Sequence, residues 1–138
     1  MIAVDSGFLF ALVDRRDAWH ARALAQIHTG AEGWITTWPV LTELCHLFVK
    51  RLGVKHAIDA LADAADGSLS VWNIPDNVVH QLPTLMNKYA KLPMDLADAS
   101  LVLLAEHLGH GRILSTDERD FGAYRWKQRK PFHNLLVA

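Results

Sequence analysis

Residues 2–13, IAVDSGFLFALV, predict a strand, a turn and a helix in direct succession. Three apolar residues make a short buried strand that ends at Asp5. Ser6 and Gly7 form a tight turn before a second apolar run, residues 8–13, which we interpret as a helix. A strand that leads straight into a helix is the repeating unit of α/β proteins. Asp5 is therefore predicted to lie at the carboxyl end of a strand, where such sheets bind their ligands.

The same alternation of short apolar strands and helices continues along the chain. Further strands are predicted at residues 34–37, 69–72, 112–115 and 134–137. Helices are predicted between them, from Asp17 to near Gly30, from Pro39 to about Arg51, from Val54 to Ala65, from Pro75 to about Tyr89 and from Met94 to Leu108. We therefore expect a single domain, residues 1–138, of the α/β class: a three-layer α/β/α sandwich around a mainly parallel five-stranded sheet.

Composition limits the classes of function. The 138 residues are 51% hydrophobic and carry 14 Lys+Arg against 15 Asp+Glu, for a net charge of −1. This balance is typical of a folded chain, and it excludes broad electrostatic wrapping of a nucleic acid. Cys45 is the only cysteine, and no apolar run is long enough for a membrane helix. Because Asp5 also interrupts any signal-like region, we expect a cytoplasmic protein that has no disulfide framework and no contact with a membrane.

Position singles out a few of the acidic residues. Asp5 and Asp117 each follow a predicted strand directly. The alternative for Asp5 is a cap of the next helix, and the alternative for Asp117 is a place in the first turn of a short helix capped by Ser115 or Thr116. Glu43 lies on the apolar stripe of its helix and so faces the expected core. Buried carboxylates are rare unless they are paired or bound to metal, and a core ion pair with Arg51 is the alternative for Glu43.

Two further acids lie on the predicted helix 94–108. Asp98 is flanked by apolar residues, whereas Asp95 stands near the helix start, where capping explains an acid. If the first strand is central in the sheet, Asp5 and Asp117 end neighbouring strands, and Glu43 and Asp98 project from helices nearby. Converging carboxylates repel one another and raise each other's pKa. A divalent cation that prefers oxygen ligands, Mg²⁺ or Mn²⁺, removes that conflict.

Four short motifs carry a family resemblance: VDSGFL at residues 4–9, LTEL at 41–44, DASLV at 98–102 and STDERDF at 115–121. As an ordered set that spans nearly the whole chain, they resemble the PIN-domain family, and in particular its short VapC-like toxins of type II toxin–antitoxin systems. The resemblance implies a parallel five-stranded sheet and a Mg²⁺- or Mn²⁺-dependent ribonuclease. It matches the family's acidic quartet to Asp5, Glu43, Asp98 and Asp117.

The resemblance also bears on residues around the quartet. It matches Ser115 to a hydroxyl position of the family and Asp120 to an accessory acid. Asp95 is an extra acid that departs from the pattern, so it either joins the site or caps its helix, and the motif that follows favours Asp98 as the quartet member.

The hypothesis for the chemistry is hydrolysis of an RNA phosphodiester by the toxin of a toxin–antitoxin pair. Asp5, Asp98 and Asp117 are expected to hold one or two cations, directly or through water. Glu43 is expected to ligate a second ion or to act as general base. Hydroxyls near the carboxylates are expected to fix their geometry by hydrogen bonds, with two accessory acids beside them; these residues are Ser6, Ser115, Thr116, Asp95 and Asp120.

A basic segment near the end of the chain is the predicted RNA contact. Its cations are Arg125, Lys127, Arg129 and Lys130. Three aromatic residues, Tyr124, Trp126 and Phe132, alternate with them, so that the segment could hold phosphates and stack bases. The alternative is a solvated loop before the last strand.

Two other functions stay open from the sequence alone: a different metal-dependent phosphate hydrolase, and a non-catalytic module that binds RNA. A phosphatase of the haloacid-dehalogenase type requires an Asp two residues after Asp5, where Gly7 stands. Apolar surface on the early helices is expected to serve a homodimer or an antitoxin protein.

Overall fold

The computed structural model describes residues 1–29 and 32–137. Its strands are β1 (Ile2–Val4), β2 (Trp34–Thr37), β3 (Ser70–Trp72), β4 (Arg112–Leu114), β5 (Arg125–Trp126), β6 (Lys130–Pro131) and β7 (His133–Asn134). Five of them form one parallel sheet in the order β3-β2-β1-β4-β7. The predicted α/β class and parallel five-stranded sheet are therefore confirmed, with β1 at the centre.

The helices are α1 (Ser6–Val13), α2 (His20–Thr29), α3 (Trp38–Arg51), α4 (Val54–Asp66), α5 (Gln81–Lys88), α6 (Leu96–Leu108) and α7 (Glu118–Ala123). Most predicted helix bounds lie within a few residues of these. The predicted end near Gly30 lies outside the described residues. Pro39 takes its predicted place in the first turn of α3, and Gly109 ends α6 with a φ of 77°.

The single helix predicted from Pro75 to Tyr89 is wrong. A short 3-10 turn, Asp76–Val78, comes first, and α5 begins only at Gln81. Pro83 explains the break, because in a continuous helix it would lack the N–H that bonds to Val79 and its ring would meet that carbonyl. Instead Leu82 donates to Val79 O at 3.0 Å, and Pro83 stands in the first turn of a new helix.

The last strand of the sheet also differs from the prediction of residues 134–137, since it is His133–Asn134. The Asn134 side chain bonds to the backbone of its neighbours: its Oδ1 accepts from Ser115 N at 3.1 Å and from Leu136 N at 3.2 Å. Its Nδ2 donates to Ser115 O at 2.9 Å. This amide takes the place of further strand pairing, and residues 135–137 form a turn.

Successive side chains of the strands point to opposite faces of the sheet, and each face is covered by a hydrophobic core. Ile2 and Val4 of β1 pack with α1, α3 and α4 in one core. Ala3 points to the other face, where a second core contains the apolar residues of α6 together with Phe121 of α7. This arrangement is the expected three-layer sandwich. In the described part of the chain, no helix is long and apolar enough to span a bilayer.

A small antiparallel hairpin of β5 and β6 was not predicted. Its turn contains Lys127 at φ 47° and Gln128 at φ 69°. Two-residue strands carry too little periodicity to be detected in a sequence. The segment is therefore a hairpin with an exposed turn, and its contact with RNA stays a prediction.

Candidate active site

The predicted acidic quartet lies around one cavity at the carboxyl edge of the sheet. The cavity has a volume of about 240 Å³, and the four carboxylates line it together with Asp95 and Asp120. Strand pairing explains the meeting of Asp5 and Asp117, because β1 and β4 are parallel neighbours with Val4 opposite Leu114. The chain therefore leaves both strands at the same edge of the sheet.

Asp5 is both a helix cap and a wall of the cavity. Its Oδ1 accepts from Phe8 N at 2.8 Å, which caps α1, and the residue is only 7% exposed. Its Oδ2 accepts a hydrogen bond from the buried Ser115 hydroxyl. The predicted hydrogen bond between Ser115 and a quartet carboxylate is therefore present.

Asp117 is connected to the same serine. Ser115 Oγ accepts from Asp117 N at 2.9 Å, so one buried hydroxyl joins the backbone of Asp117 to the carboxylate of Asp5. Asp117 Oδ1 in turn accepts from Asp120 N at 2.9 Å and caps α7. Asp120, 7% exposed, pairs with the exposed Arg119 at 3.0 Å.

Glu43 reaches the cavity from α3. It accepts a hydrogen bond from the Ser6 hydroxyl, which confirms that Ser6 bonds a quartet carboxylate. The alternative ion pair with Arg51 is not formed, since the guanidinium of Arg51 lies over the ring of Phe10 at 5.7 Å from its centroid. Glu43 is therefore a half-buried carboxylate held by a neutral hydroxyl.

The two acids of α6 differ in their surroundings. Asp95 is exposed and caps the helix, its Oδ1 accepting from Asp98 N at 2.8 Å. Its side chain lines the cavity as well, so capping and membership of the site are compatible. Asp98 is half-buried, and its Oδ2 accepts from the hydroxyl of Tyr124 at 2.8 Å.

Thr116, the remaining predicted hydroxyl residue, packs closely against Gly7. It lines the cavity beside Gly7. A Cβ built on Gly7 would lie 2.1 Å from Thr116 Oγ1, so the residue at position 7 must be glycine for this approach. Gly7 is thus part of the site, and its place in the predicted turn gave no sign of that contact.

The electrostatics of the cavity disfavour several ionised acids at once. Burial raises the pKa of Asp5 to about 6 and that of Asp98 to about 7, although hydrogen bonds from Ser115 and Tyr124 oppose the shifts. Burial also raises the pKa of Glu43 and of Asp117. Within the described residues, no Lys or Arg lines the cavity to compensate.

This donor set fits a hard divalent cation in its chemistry. All its acidic groups offer oxygen atoms, and no Lys or Arg lines the cavity in the described chain. Burial, with a smaller contribution from neighbouring carboxylates, raises the pKa of Asp5 and of Asp98, and a cation bound there would oppose that shift. Among the described residues, no three His, Cys, Asp or Glu side chains are already close enough together to enclose a metal. Mg²⁺ usually keeps several of its waters, so it needs only one or two carboxylates as direct ligands.

The basic segment predicted to contact RNA, residues 125–130, does not line the acidic cavity. Arg125 and Lys127 line a separate groove of about 690 Å³ with Lys88 and Glu106, and this groove shares no residue with the acidic cavity. The guanidinium of Arg125 already forms hydrogen bonds within the protein, because it donates to the carbonyls of Gly122, Ala123 and Tyr124 at 2.9–3.2 Å. Lys127, Arg129 and Lys130 are exposed.

The predicted stacking by aromatic residues of this segment is wrong. Tyr124 is 0% exposed and Trp126 is 6% exposed, so neither ring can receive a base. Phe132 packs edge-on against Phe121 at 5.3 Å between ring centroids. Tyr124 and Trp126 are buried members of the second core, and Phe132 is partly buried against it. Tyr124 instead contacts a quartet carboxylate, a role the sequence did not reveal.

Comparisons with known proteins agree with this architecture. A sequence profile of the PIN domain matches residues 2–127. The curated protein Ribonuclease VapC26 of Mycobacterium tuberculosis (strain ATCC 25618 / H37Rv) is 29% identical over 122 residues, 88% of this chain and 90% of its own length. The crystal structure of Mycobacterium tuberculosis VapC20, described as a sarcin-ricin loop cleaving toxin, shares the fold with a TM-score of 0.79 at 21% identity, over 86% of this chain and 92% of that one. The chain therefore belongs to the PIN-domain family.

Proposed function

We propose that this protein is an endoribonuclease that requires Mg²⁺ or Mn²⁺ and hydrolyses RNA phosphodiester bonds. The observation that carries the proposal is the convergence of Asp5, Glu43, Asp98 and Asp117 on one cavity that no Lys or Arg of the described chain lines. The similarity to VapC26, a ribonuclease, and to VapC20, a sarcin-ricin loop cleaving toxin, supports the choice of substrate.

Each acid has a role that follows from its surroundings. Asp5, Asp98 and Asp117 would hold the cation, which would polarise the phosphate and lower the pKa of a water molecule. Ser115 orients Asp5 and Asp117 together, and Ser6 orients Glu43. Glu43 carries a raised pKa and opens to the cavity, so it suits the removal of a proton from the attacking water. Asp95 and Asp120 are two further acids in the lining of the cavity.

Asparagine variants of Asp5 and Asp117 test the proposal. Asn has nearly the same shape and still accepts the capping hydrogen bond from Phe8 or Asp120, so both variants should fold. Cleavage of cellular RNA should be lost in both variants, and EDTA should abolish it in the unchanged protein.

Glu118→Gln is the matched control, because Glu118 is an exposed acid next to Asp117 that does not line the cavity. Full activity of either Asn variant would contradict the assignment. RNA binding without any cleavage by the unchanged protein would instead indicate a binding module.

The biological setting is proposed on the same comparisons: a cytoplasmic toxin that an antitoxin protein holds inactive. Exposed apolar residues of α4 favour a protein partner, since Val54, Ile58 and Leu61 lie on one stripe and are 44–60% exposed. A homodimer is the other expected use of such a surface. Sedimentation of the purified chain decides whether it dimerises by itself, and Ile58→Glu should then shift it to a monomer if this stripe is the interface.

A further inference from the structure

A second cavity, of about 670 Å³, adjoins the acidic one. We call it the Trp38 groove, and it is lined by Trp38, Pro39, Thr42, Glu43, His46, Asp95, Leu96 and Ala97. Glu43, Asp95 and Ala97 line the acidic cavity as well, so the two cavities are continuous. A chain whose phosphate lies among the acids therefore has a neighbouring unit within reach of the groove.

The indole of Trp38 is exposed and yet fixed in orientation. The residue begins α3 directly after β2 and is 46% exposed. Its Nε1 donates to Asn73 Oδ1 at 2.8 Å, and its carbonyl accepts from Thr42 Oγ1 at 2.9 Å. Trp126, by contrast, is only 6% exposed. A large flat ring held in place in this way loses little entropy when a ligand stacks on it.

The charges of the groove select the kind of ligand. Its lining in the described chain includes Glu43 and Asp95 but no Lys or Arg, so a bare phosphate would be repelled there. A nucleobase is neutral and planar, and bases stack on aromatic side chains without regard to sequence. Leu96, 47% exposed, adds apolar surface beside the indole.

The same charges argue against permanent cover by a second copy of the chain. Such a contact would remove the carboxylates of Glu43 and Asp95 from water, and no Lys or Arg lines the groove in the described chain to offset the cost. A base that enters and leaves imposes no such lasting burial.

We propose that the Trp38 groove binds an unpaired base of single-stranded RNA, next to the phosphate that enters the acidic cavity. This inference rests on the proposed ribonuclease function and adds to it a subsite, on Trp38, for the base beside that phosphate. A base inside a duplex is already stacked and paired, so it is not free to lie on Trp38.

The test is RNA binding with cleavage disabled. Asp117→Asn provides the parent protein, and the probe is a fluorescein-labelled, mixed-sequence single-stranded RNA of about 12 nucleotides, spanning roughly the 4–16 nucleotides of single-strand sites. Fluorescence anisotropy in Mg²⁺ gives the affinity.

Adding Trp38→Leu should weaken binding by about fivefold to a hundredfold, from the usual effect of losing one stacked base. Trp38→Phe should restore most of the affinity, and Asn73→Ala, which frees the indole, should give an intermediate loss. Trp19→Leu, directly before α2, is the control, since Trp19 lines neither cavity.

The outcomes separate this inference from the function beneath it. Equal binding by the parent and by Trp38→Leu would overturn the base site alone, as would an equal loss of affinity for a duplex of the same sequence. A parent that binds no RNA, together with an unchanged protein that cleaves none, would overturn both proposals. If Trp38→Leu changes the sedimentation coefficient and leaves RNA affinity unchanged, the groove is a contact between copies, and the base site is refuted.

Discussion

The hydroxyl of Tyr124 donates a hydrogen bond of 2.8 Å to Asp98 Oδ2 from a ring that is completely buried. Tyr124 follows α7 directly, and its ring packs edge-on against Tyr89 and Phe121 with centroids 5.1 Å away in each case. Burial and the Asp98 carboxylate raise the pKa of the phenol, so it stays a donor throughout the physiological range. Asp98 is thereby fixed by a group that is itself immobile.

Removing this donor should weaken the site with little effect on the fold. In Tyr124→Phe the ring stays packed, whereas Asp98 loses its orienting partner, so the affinity for Mn²⁺ or the cleavage rate should fall by about tenfold to a hundredfold. Stability should change by only about 1 kcal/mol. Calorimetric Mn²⁺ titration and RNA cleavage measure the first effect, and urea unfolding the second.

Tyr89→Phe is the matched control for that substitution. The Tyr89 hydroxyl accepts from Arg125 N at 3.0 Å and touches no quartet acid. This variant should lose some stability and keep its Mn²⁺ affinity. If both variants lose metal affinity equally, the effect comes from packing around the rings, and the specific role of Tyr124 is contradicted.

The quartet was predictable because its geometry follows from strand order. Asp5 and Asp117 end apolar runs, and parallel neighbouring strands present their ends at one edge. Tyr124 was not predictable, since its partner lies 26 residues away on another element and no periodicity connects them. The groove around Trp38 was missed for a related reason: the orientation of its indole depends on a hydrogen bond to Asn73, 35 residues away, which the sequence does not specify. Pro83 was a readable signal that the helix prediction overlooked.

The stability of the metal-free protein should fall as pH rises from about 4 to about 8. Asp5 and Asp98 keep their protons up to pKa values of about 6 and about 7 in the folded state, whereas unfolded aspartates lose theirs near 3.8. The folded state thus binds more protons in this interval, and the unfolding free energy decreases with pH. At about 1.4 kcal/mol per pKa unit, Asp5 alone accounts for roughly 3 kcal/mol.

Urea unfolding between pH 5 and pH 8, in EDTA and in excess Mg²⁺, measures this dependence. Asp5→Asn has no proton to lose, so its curve in EDTA should be flatter and should lie above that of the unchanged protein at pH 8. Bound Mg²⁺ should also flatten the curve by stabilising the ionised carboxylates. Identical slopes for the two proteins in EDTA would mean that Asp5 titrates normally.

Gly7→Ala should damage the site through Thr116. The added methyl group would lie 2.1 Å from Thr116 Oγ1, so the Thr116 side chain must rotate or move beside Asp117. Activity should therefore drop by about tenfold, the scale of effects seen when groups that support metal ligands are disturbed. Gly122→Ala is the control: it lies in α7 with nothing within 4 Å of the new Cβ, and should be neutral or stabilising by up to about 1 kcal/mol.

A second substitution separates this clash from other effects of the methyl group. Thr116→Ala removes the offending oxygen and leaves the Thr116 Cβ at 3.4 Å, an ordinary contact distance. The double variant Gly7→Ala, Thr116→Ala should therefore recover stability relative to Gly7→Ala, as a positive coupling in a double-mutant cycle. Additive losses in urea unfolding would show that the two side chains do not interact in the way the structure indicates.

Charge reversal on the hairpin tests whether the basic segment grips RNA. Arg125 is unsuitable for this purpose, because its guanidinium ties together the carbonyls at the end of α7. Lys127 and Arg129 are exposed in the hairpin turn, and the double variant Lys127→Glu, Arg129→Glu should fold normally. If both cations bind phosphates, RNA affinity falls, and the slope of log affinity against log salt decreases by about 0.7 for each phosphate of a single strand that is no longer neutralised.

Lys50→Glu, an exposed reversal near the end of α3, is the control for net charge. A slope that is unchanged in the double variant, or lowered equally by Lys50→Glu, would mean that the hairpin binds no phosphate specifically. The segment would then be a surface feature of the fold, with RNA held by the acidic cavity and the Trp38 groove.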